Sequence, residues 1–449
     1  MRLPTELILM IAEHTDSKSD FSALARVNRD IYAILIDKLY KRHKEGICKA
    51  SELHSLPAIR RFFRLGFDAR QPYAPSPTSR HNEFLGVVEG NFEHPLLHAT
   101  QYGHAVLVQY LLEAGSDPDV RAGNRITPLL IASKNGSLSI VRALKEVGGE
   151  GKLYPVGDPN FLEIFQRTPI REAAYGGHLD VVKYLFSVSK TEDPRSLASG
   201  CFPEAAASGN IELVLYLLQQ NADVNFRGWV YEGQRTQDRG TALLFAVRHN
   251  HPETVRLLLQ HNACIRAAIG SGTPRVGTTL FRVAVRFGFG EVLKVLLYHD
   301  LPEEDVPDLD DLLQCAIFNG QTTIVDILLR MLDDDPSSLR SAMEEAVRLC
   351  RVDIVDLLIK RGFNGDEAMF LAIFDDKELI VEHLLSGGID PNSPTAPRNP
   401  LRLALSVGNI PITEVLLRYG ARIDSVGLDK LHESKKQNAR LQPFAHVSS

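Results

Sequence analysis

The sequence has no close pair of cysteines. Its five cysteines are scattered through the chain as Cys48, Cys201, Cys264, Cys315 and Cys350. A disulfide framework, or a zinc site made of four thiolates, needs cysteines at short and regular spacing, so neither is expected. Scattered free thiols are typical of a reducing compartment. The sequence therefore predicts an intracellular protein, located in the cytoplasm, the nucleus or both.

Long apolar runs and a strong excess of one charge are also missing. No run of 18 uninterrupted apolar residues occurs, so we expect no membrane-spanning helix. Glu6, Glu13 and Asp16 interrupt the apolar residues of the amino terminus, which argues against a secretory signal. The 50 basic and 56 acidic residues give a formal charge of -6. Because sequence-independent nucleic-acid affinity comes from clustered Lys and Arg, we expect no nucleic-acid partner.

Residue sets that would carry catalysis or hold a cofactor are missing as well. Residues 272–279 have the glycine spacing of a phosphate-binding loop, but Thr278 occupies the position of the essential Lys. The 15 His residues show neither an HExxH motif nor a Cys-His spacing, so a zinc site is not expected. Acidic runs at 303–305 and 333–335 lack the glycine and the spacing of a calcium loop. We therefore predict no enzymatic activity, no catalytic residues, no cofactor and no metal site.

The sequence does contain an internal repeat. An Ala within a short apolar segment recurs every 26 to 41 residues, and in seven of the ten copies a Gly follows four residues later. The ten alanines are Ala99, Ala132, Ala173, Ala205, Ala246, Ala284, Ala316, Ala346, Ala372 and Ala404. A second apolar run follows each Ala after about eight residues. Each repeat is therefore predicted to consist of two short helices.

The residue types at the ends of the first helix have a local physical reason. His94-Pro95, Thr127-Pro128, Thr168-Pro169 and Asn399-Pro400 stand at its beginning. A Thr or Asn side chain can accept a hydrogen bond from a free helix amide, and Pro at the first position has no amide to leave unsatisfied. The Gly after the Ala favours the left-handed conformation that ends a helix.

Two of the repeats resemble the ankyrin signature T-P-L-H-x-A. Residues 127–132 read T-P-L-L-I-A and residues 168–173 read T-P-I-R-E-A, and the period of about 33 residues is similar to that of the family. The resemblance implies an all-α solenoid of helix-loop-helix repeats with hairpin loops, which binds another protein. We expect about ten ankyrin repeats over residues 94–425, a degenerate repeat with an insert over 45–93, and a partly disordered carboxyl-terminal tail over 426–449.

Four inserts interrupt the hairpin regions between repeats. They cover residues 69–93, 149–167, 226–240 and 266–278. The insert 226–240 contains Trp229, the only Trp of the chain, together with Arg227, Tyr231 and Arg235. Since Trp, Tyr and Arg dominate interface hot spots, these four residues are candidates for substrate binding. That Trp229 only packs the loop onto the repeats is an equally open alternative.

Residues 1–44 have a different pattern, which indicates three short helices. Leu3, Leu7 and Ile11 lie at four-residue spacing, on one helix face. The segment resembles an F-box, and the matching positions are Leu3, Pro4, Glu6, Leu7, Ile11, Leu24, Val27, Arg29 and Tyr32. This resemblance implies that a three-helix F-box-like domain binds a Skp1-like adaptor. We assign that contact to Leu3, Pro4, Glu6, Leu7, Ile11, Leu24, Val27 and Tyr32.

Together these resemblances predict a substrate-recognition subunit of a Skp1-cullin-F-box ubiquitin ligase. The repeats would hold an unknown protein substrate, and the chain would be a monomer within that complex. Two alternatives stay open. Residues 1–44 could serve only as a cap for the repeats, because terminal repeats need a polar outer face. The whole chain could equally be an ankyrin scaffold or inhibitor without a ligase connection.

Overall fold

A computed structural model of the chain describes ten stretches of residues. They are 46–71, 94–121, 126–149, 168–189, 193–232, 236–265, 276–302, 306–333, 335–393 and 399–422. The chain divides into two compact units. The first ends at His249 and takes in residues 261–263, and the second consists of residues 250–260 and the residues from Cys264 onward.

The described residues of the first unit form short helices and one pair of strands. The helices are α1 (Gly46–Glu52), α2 (Leu56–Arg64), α3 (Pro95–Gln101), α4 (Ala105–Glu113), α5 (Pro128–Lys134), α6 (Leu138–Glu146), α7 (Pro169–Tyr175), α8 (Leu179–Val188), α9 (Pro194–Ser208), α10 (Ile211–Gln219) and α11 (Ala242–Arg248). The strands, between α10 and α11, are β1 (Gly228–Glu232) and β2 (Thr236–Gly240).

The described residues of the second unit are helical wherever they form regular structure. The helices are α12 (Pro252–Gln260), α13 (Val276–Phe287), α14 (Gly290–Leu297), α15 (Leu309–Phe318), α16 (Thr322–Met331), α17 (Pro336–Arg348), α18 (Val352–Lys360), α19 (Gly365–Phe374), α20 (Glu378–Ser386), α21 (Pro400–Val407) and α22 (Ile410–Arg418). The predicted helical repeat fold is confirmed, and the β1-β2 pair is an addition to it.

Three of the four predicted helix starts have a side-chain cap, at Thr127, Thr168 and Asn399. The Thr127 hydroxyl accepts a hydrogen bond from the Leu130 amide at 3.3 Å, and the Asn399 side chain accepts one from the Arg402 amide at 3.0 Å. His94 also precedes a helix that starts with Pro, but its side chain makes no capping bond. Of the two predicted start signals, a side-chain cap and a Pro at the first helical position, this helix has only Pro95.

The repeat alanines form the packed core between successive repeats. All ten are 0% exposed to solvent. In the first unit, first helices contact first helices in the order α3, α5, α7, α9 and α11; in the second unit, the order is α13, α15, α17, α19 and α21. A methyl group at this position lets neighbouring helix backbones approach closely, and a larger side chain would force them apart.

The turn after each first helix is left-handed, as predicted. The seven glycines four residues after the Ala have φ between 70° and 79°. Asn250, Cys350 and Asp376 occupy the same position in the other three repeats and have φ of 58°, 55° and 60°. The turn geometry is therefore kept where the glycine is absent, at the steric cost that an L residue bears in this conformation.

Candidate protein-binding surface

The predicted adaptor contact cannot be located in this structure. Leu3, Pro4, Glu6, Leu7, Ile11, Leu24, Val27 and Tyr32 lie outside the described residues. The same holds for the tail 426–449. These assignments remain predictions.

The insert 226–240 forms an antiparallel hairpin that the sequence only suggested as a loop. Trp229 pairs with Arg239 across the two strands, and Tyr231 pairs with Gln237. Arg235 lies outside the described residues. Val, Tyr and Trp favour strands, which explains why β1 forms here.

The base of this hairpin is fixed on α9. Gly228, the first residue of β1, lies so close to Pro203 that a Cβ atom on Gly228 would come within 2.9 Å of the Pro203 Cγ. Arg227, just before β1, is half-buried, and its Nε atom is buried without a hydrogen-bond partner in the described part of the chain. Gly228 therefore allows a close approach of backbone to helix, which anchors the base of the hairpin through its main chain.

Helix α9 is adapted to carry this hairpin. It has 15 residues, whereas the neighbouring first helices α7 and α11 each have seven. The Ser199 hydroxyl donates to the Arg195 carbonyl and accepts the amide of Asp223, both at 2.8 Å. Ser199 thus ties the loop that leads into β1 to the middle of the helix.

A buried ion pair joins α7 to α9. The Arg171 Nε donates to Glu204 Oε1 at 2.5 Å, and the two side chains are 13% and 6% exposed. Burial raises the pKa of Glu204 to about 7, although the Arg171 charge acts in the opposite direction. The second carboxylate oxygen of Glu204 is buried and has no hydrogen-bond partner among the described residues.

The buried thiol beside this pair is poorly suited to nucleophilic chemistry. Cys201 is 0% exposed, and burial, followed by the nearby Glu204 carboxylate, raises the pKa of its thiol. A nucleophilic cysteine needs the thiolate form and access for a substrate. Arg171, Glu204 and Cys201 therefore belong to the buried contact between α7 and α9 and do not form a reactive site. The described residues also contain no group of three or more His, Cys, Asp or Glu that could hold a metal ion.

Hydrogen bonds between the turns of successive repeats form what we call the turn ladder. In three repeats, a side chain in the turn contacts a backbone carbonyl of the preceding repeat. The side chain belongs to the fifth residue after the repeat Ala, and the carbonyl to the second residue after the Ala of the preceding repeat. The pairs are His178 with Lys134, Gln321 with Arg286, and Arg351 with Phe318. Each bond satisfies one of the last carbonyls of a first helix, which has no partner within that helix. Because the partner of His178 Nε2 is a carbonyl at 2.9 Å, that nitrogen carries the proton.

The outer faces of the first helices in the second unit are linked across repeats by polar side chains. The Arg282 guanidinium on α13 binds the Asp311 carboxylate on α15 with distances of 2.6 to 3.0 Å. Gln314 on α15 donates to the Ser341 hydroxyl on α17 at 2.9 Å. These contacts link neighbouring first helices to each other. The carboxyl-terminal ends of α13 and α15 are exposed to solvent.

Sequence analysis missed the aromatic residues that stand at those open ends. Phe287, Phe318 and Phe374 are 56%, 63% and 63% exposed. All three lie two or three residues after a repeat Ala, so the repeat register itself was the signal that could have found them. Burying a Phe side chain stabilises a fold by about 1.5–3 kcal/mol, and these exposed rings contribute much less than this to stability. Exposed aromatic side chains near the same end of several first helices are what a protein-binding surface would need.

The comparisons with known proteins agree with this fold. A family model of ankyrin repeats, which spans three copies, matches residues 96–198 and again 202–310. The chain therefore contains ankyrin repeats, and such repeats indicate a protein-binding role. None of the helices in the described stretches is long and apolar enough to cross a membrane.

Individual relatives are similar over parts of the chain. An ankyrin repeat and KH domain-containing protein, mask-1 of Caenorhabditis elegans, is 27% identical over 258 residues, which is 55% of this chain and 9% of that protein. A second such protein, CBG24701 of Caenorhabditis briggsae, is 30% identical over 139 residues, 31% of this chain and 4% of that protein. The matched region thus spans less than a tenth of either relative.

Two further similarities are to a plant protein and to a solved structure. The putative E3 ubiquitin-protein ligase XBAT31 of Arabidopsis thaliana is 28% identical over 177 residues, 39% of this chain and 31% of that protein. The crystal structure of the human ASB11 ankyrin repeat domain is 19% identical, covers 57% of this chain and 98% of its own, and has a TM-score of 0.39.

Proposed function

We propose that this chain is the substrate-recognition subunit of a Skp1-cullin-F-box ubiquitin ligase. The ankyrin repeats would hold the substrate, and residues 1–44 would bind a Skp1-like adaptor. The observation that carries the binding role is the set of solvent-exposed aromatic side chains Phe287, Phe318 and Phe374, which lie two or three residues after the Ala in three repeats of the second unit. Ankyrin-repeat proteins are typically scaffolds, and the reaction would belong to the rest of the ligase.

The ligase connection rests on the amino-terminal sequence. The Leu-Pro-x-Glu-Leu pattern at Leu3 to Leu7, with Ile11 four residues further, supports adaptor binding. The name of XBAT31 gives weaker support, because only 31% of that protein aligns with this chain.

Binding to purified Skp1 tests this proposal directly. We expect the full-length protein to retain Skp1 in a pull-down, and the double variant Leu3→Asp, Leu7→Asp to lose it. The matched control is Leu53→Asp, which introduces the same charge at a leucine that is 66% exposed and lies outside the F-box-like segment. This control should bind as the unchanged chain does. Failure of the folded, unchanged protein to bind at micromolar concentrations contradicts the ligase proposal.

The alternative is a scaffold or inhibitor whose first 44 residues only cap the repeats. Deleting residues 1–44 separates the two functions. Under the ligase proposal, the deletion abolishes Skp1 binding and leaves the thermal transition of the remaining repeats close to its original temperature. Under the alternative, it lowers that temperature strongly, because an uncapped terminal repeat exposes its apolar face.

A further inference from the structure

Four successive repeats of the second unit present a basic and an aromatic side chain in alternation. The positions two residues after the repeat Ala are Arg286, Phe318, Arg348 and Phe374, which we call the alternating row. All four side chains are exposed. Because they occupy the same register position on first helices that stack side by side, they extend from one surface.

The turn ladder fixes the distance between neighbouring members of this row. Gln321 links the carbonyl of Arg286 to the repeat that carries Phe318, at 3.2 Å, and Arg351 links the carbonyl of Phe318 to the repeat that carries Arg348. Packed helices lie about 8–10 Å apart, so consecutive side chains of the row are separated by about that distance. Ladder bonds connect the first two steps of the row, and the packing of α17 against α19 sets the third.

Charge along the row favours an acidic partner at the Arg286 end. Arg286 has no carboxylate within ion-pair distance in the described part of the chain, and its guanidinium lies 5.6 Å from the centre of the Phe287 ring. Arg351 adds a third positive charge beside Phe318. Arg348 makes two hydrogen bonds to the Glu345 carboxylate on its own helix and also feels the charge of Asp375, so Arg286 is the more available of the two arginines.

The aromatic members supply the apolar contacts. Phe318 is 63% exposed, and Phe374 is exposed to the same extent, stacked on Phe370 with ring centres 6.3 Å apart. Aromatic and Arg side chains are the types enriched at interface hot spots. A partner that only carried negative charge, such as a phosphate backbone, would leave these rings unused and would meet Glu345 and the Asp375 carboxylate beside Phe374.

We propose that the alternating row binds an acidic segment of a partner protein in the polyproline II conformation, in which acidic and apolar residues alternate at every third position. A polyproline II chain has three residues per turn and rises about 3.1 Å per residue, so residues three apart lie on the same side and span one repeat. Acidic residues would face Arg286 and Arg348, and aliphatic or aromatic residues would face Phe318 and Phe374. This inference rests on the proposed protein-binding role of the repeats, and it is independent of the ligase connection.

The test uses a random 12-residue peptide library displayed on phage. Peptides are selected on immobilised full-length protein after depletion on the double variant Arg286→Glu, Phe318→Ala. Enriched peptides are synthesised, and their affinity for each variant is measured by fluorescence polarisation. We expect acidic and apolar residues spaced three apart, and a loss of affinity of about tenfold or more for either single variant.

Matched controls lie on the second helices of the same unit. Arg330→Glu changes the charge of an arginine that is 68% exposed on α16, and Tyr298→Ala removes an aromatic side chain that is 74% exposed after α14. Both should bind the enriched peptides as the unchanged protein does. Circular dichroism of every variant should show the same helix content.

Several outcomes overturn the inference. They are the absence of any enriched peptide, enrichment of sequences without acidic residues, equal affinity for the row variants and the controls, and tighter binding of the single-stranded oligonucleotide (dT)12 than of the peptides. Skp1 binding without peptide binding would reject the row alone. Peptide binding without Skp1 binding would reject only the ligase connection.

Discussion

The turn between α17 and α18 allows the cost of a left-handed side chain to be measured within one repeat. Cys350 has φ of 55° at a position where seven other repeats have Gly. An L residue in this conformation is disfavoured by about 1–2 kcal/mol relative to Gly. Gly also makes the unfolded chain more flexible, and this opposes the gain from relieving the left-handed strain by about 0.4–1 kcal/mol. Cys350→Gly should therefore raise the free energy of opening this turn by about 0.5–1 kcal/mol.

Native-state hydrogen exchange reports this change locally. The Arg351 amide donates to the Ala346 carbonyl at 2.8 Å across the same turn. A gain of about 0.5–1 kcal/mol slows its exchange about two- to fivefold when exchange proceeds through opening of the turn. Global unfolding is a poorer measure, because a repeat array does not unfold as one cooperative unit.

Two control variants isolate the conformational cause. Cys350→Ala removes the thiol and keeps the Cβ atom, so it should leave the exchange rate close to that of the unchanged chain. Gly103→Ala is the reverse change at a site where the added Cβ would meet only the Ser137 hydroxyl, at 4.0 Å, and it should destabilise its turn by about 1 kcal/mol. If Cys350→Ala slowed exchange as much as Cys350→Gly, the explanation by backbone conformation would be wrong.

Two further predictions concern buried polar groups of the first unit. Burial raises the pKa of Glu204 to about 7, whereas the pKa of an unfolded Glu is about 4.3. Between these two values the folded chain keeps a proton that the unfolded chain has released. The contribution of Glu204 to the free energy of unfolding therefore falls by up to about 3 kcal/mol as the pH rises from about 4.5 to 7. In urea denaturation over this pH range, the free energy of unfolding of Glu204→Gln should fall less with pH than that of the unchanged chain. An equal dependence on pH in the two proteins would contradict the raised pKa of Glu204. His178→Ala removes the hydrogen bond to the Lys134 carbonyl and should lower the free energy of unfolding of that repeat pair by about 1 kcal/mol. Hydrogen exchange of the turn amides measures this change. An unchanged exchange rate at these amides would show that the bond contributes nothing to stability.

The repeat register was predictable from sequence because it depends on local chemistry. Small residues at a fixed period, a Thr-Pro pair at a helix start and a Gly at its end each have their effect within a few residues. The left-handed conformation of Cys350 was not predictable in this way, because the repeats on both sides impose it and nothing in its own side chain favours it.

The features that were missed depend on contacts between repeats. Arg171 and Glu204 are 33 residues apart, and each by itself is an ordinary charged residue of a first helix. Phe318 and Phe374 stand in apolar segments, where only the position of the next repeat decides whether a ring is buried or exposed. Sequence reasoning placed the binding candidates in the insert 226–240 because of its residue types, and that assignment is still a prediction.

The Arg171-Glu204 pair also constrains how this array of repeats can evolve. Repeat arrays commonly gain or lose a unit by recombination between similar segments, and an exposed ion pair between repeats, such as Arg282 with Asp311, costs little to lose. The junction between α7 and α9 is different, because removing Glu204 leaves the Arg171 charge buried alone, at a cost of about 3–5 kcal/mol. A deletion or duplication that separated Arg171 from Glu204 would therefore be selected against, and the order of these two repeats should persist while the number of their neighbours varies.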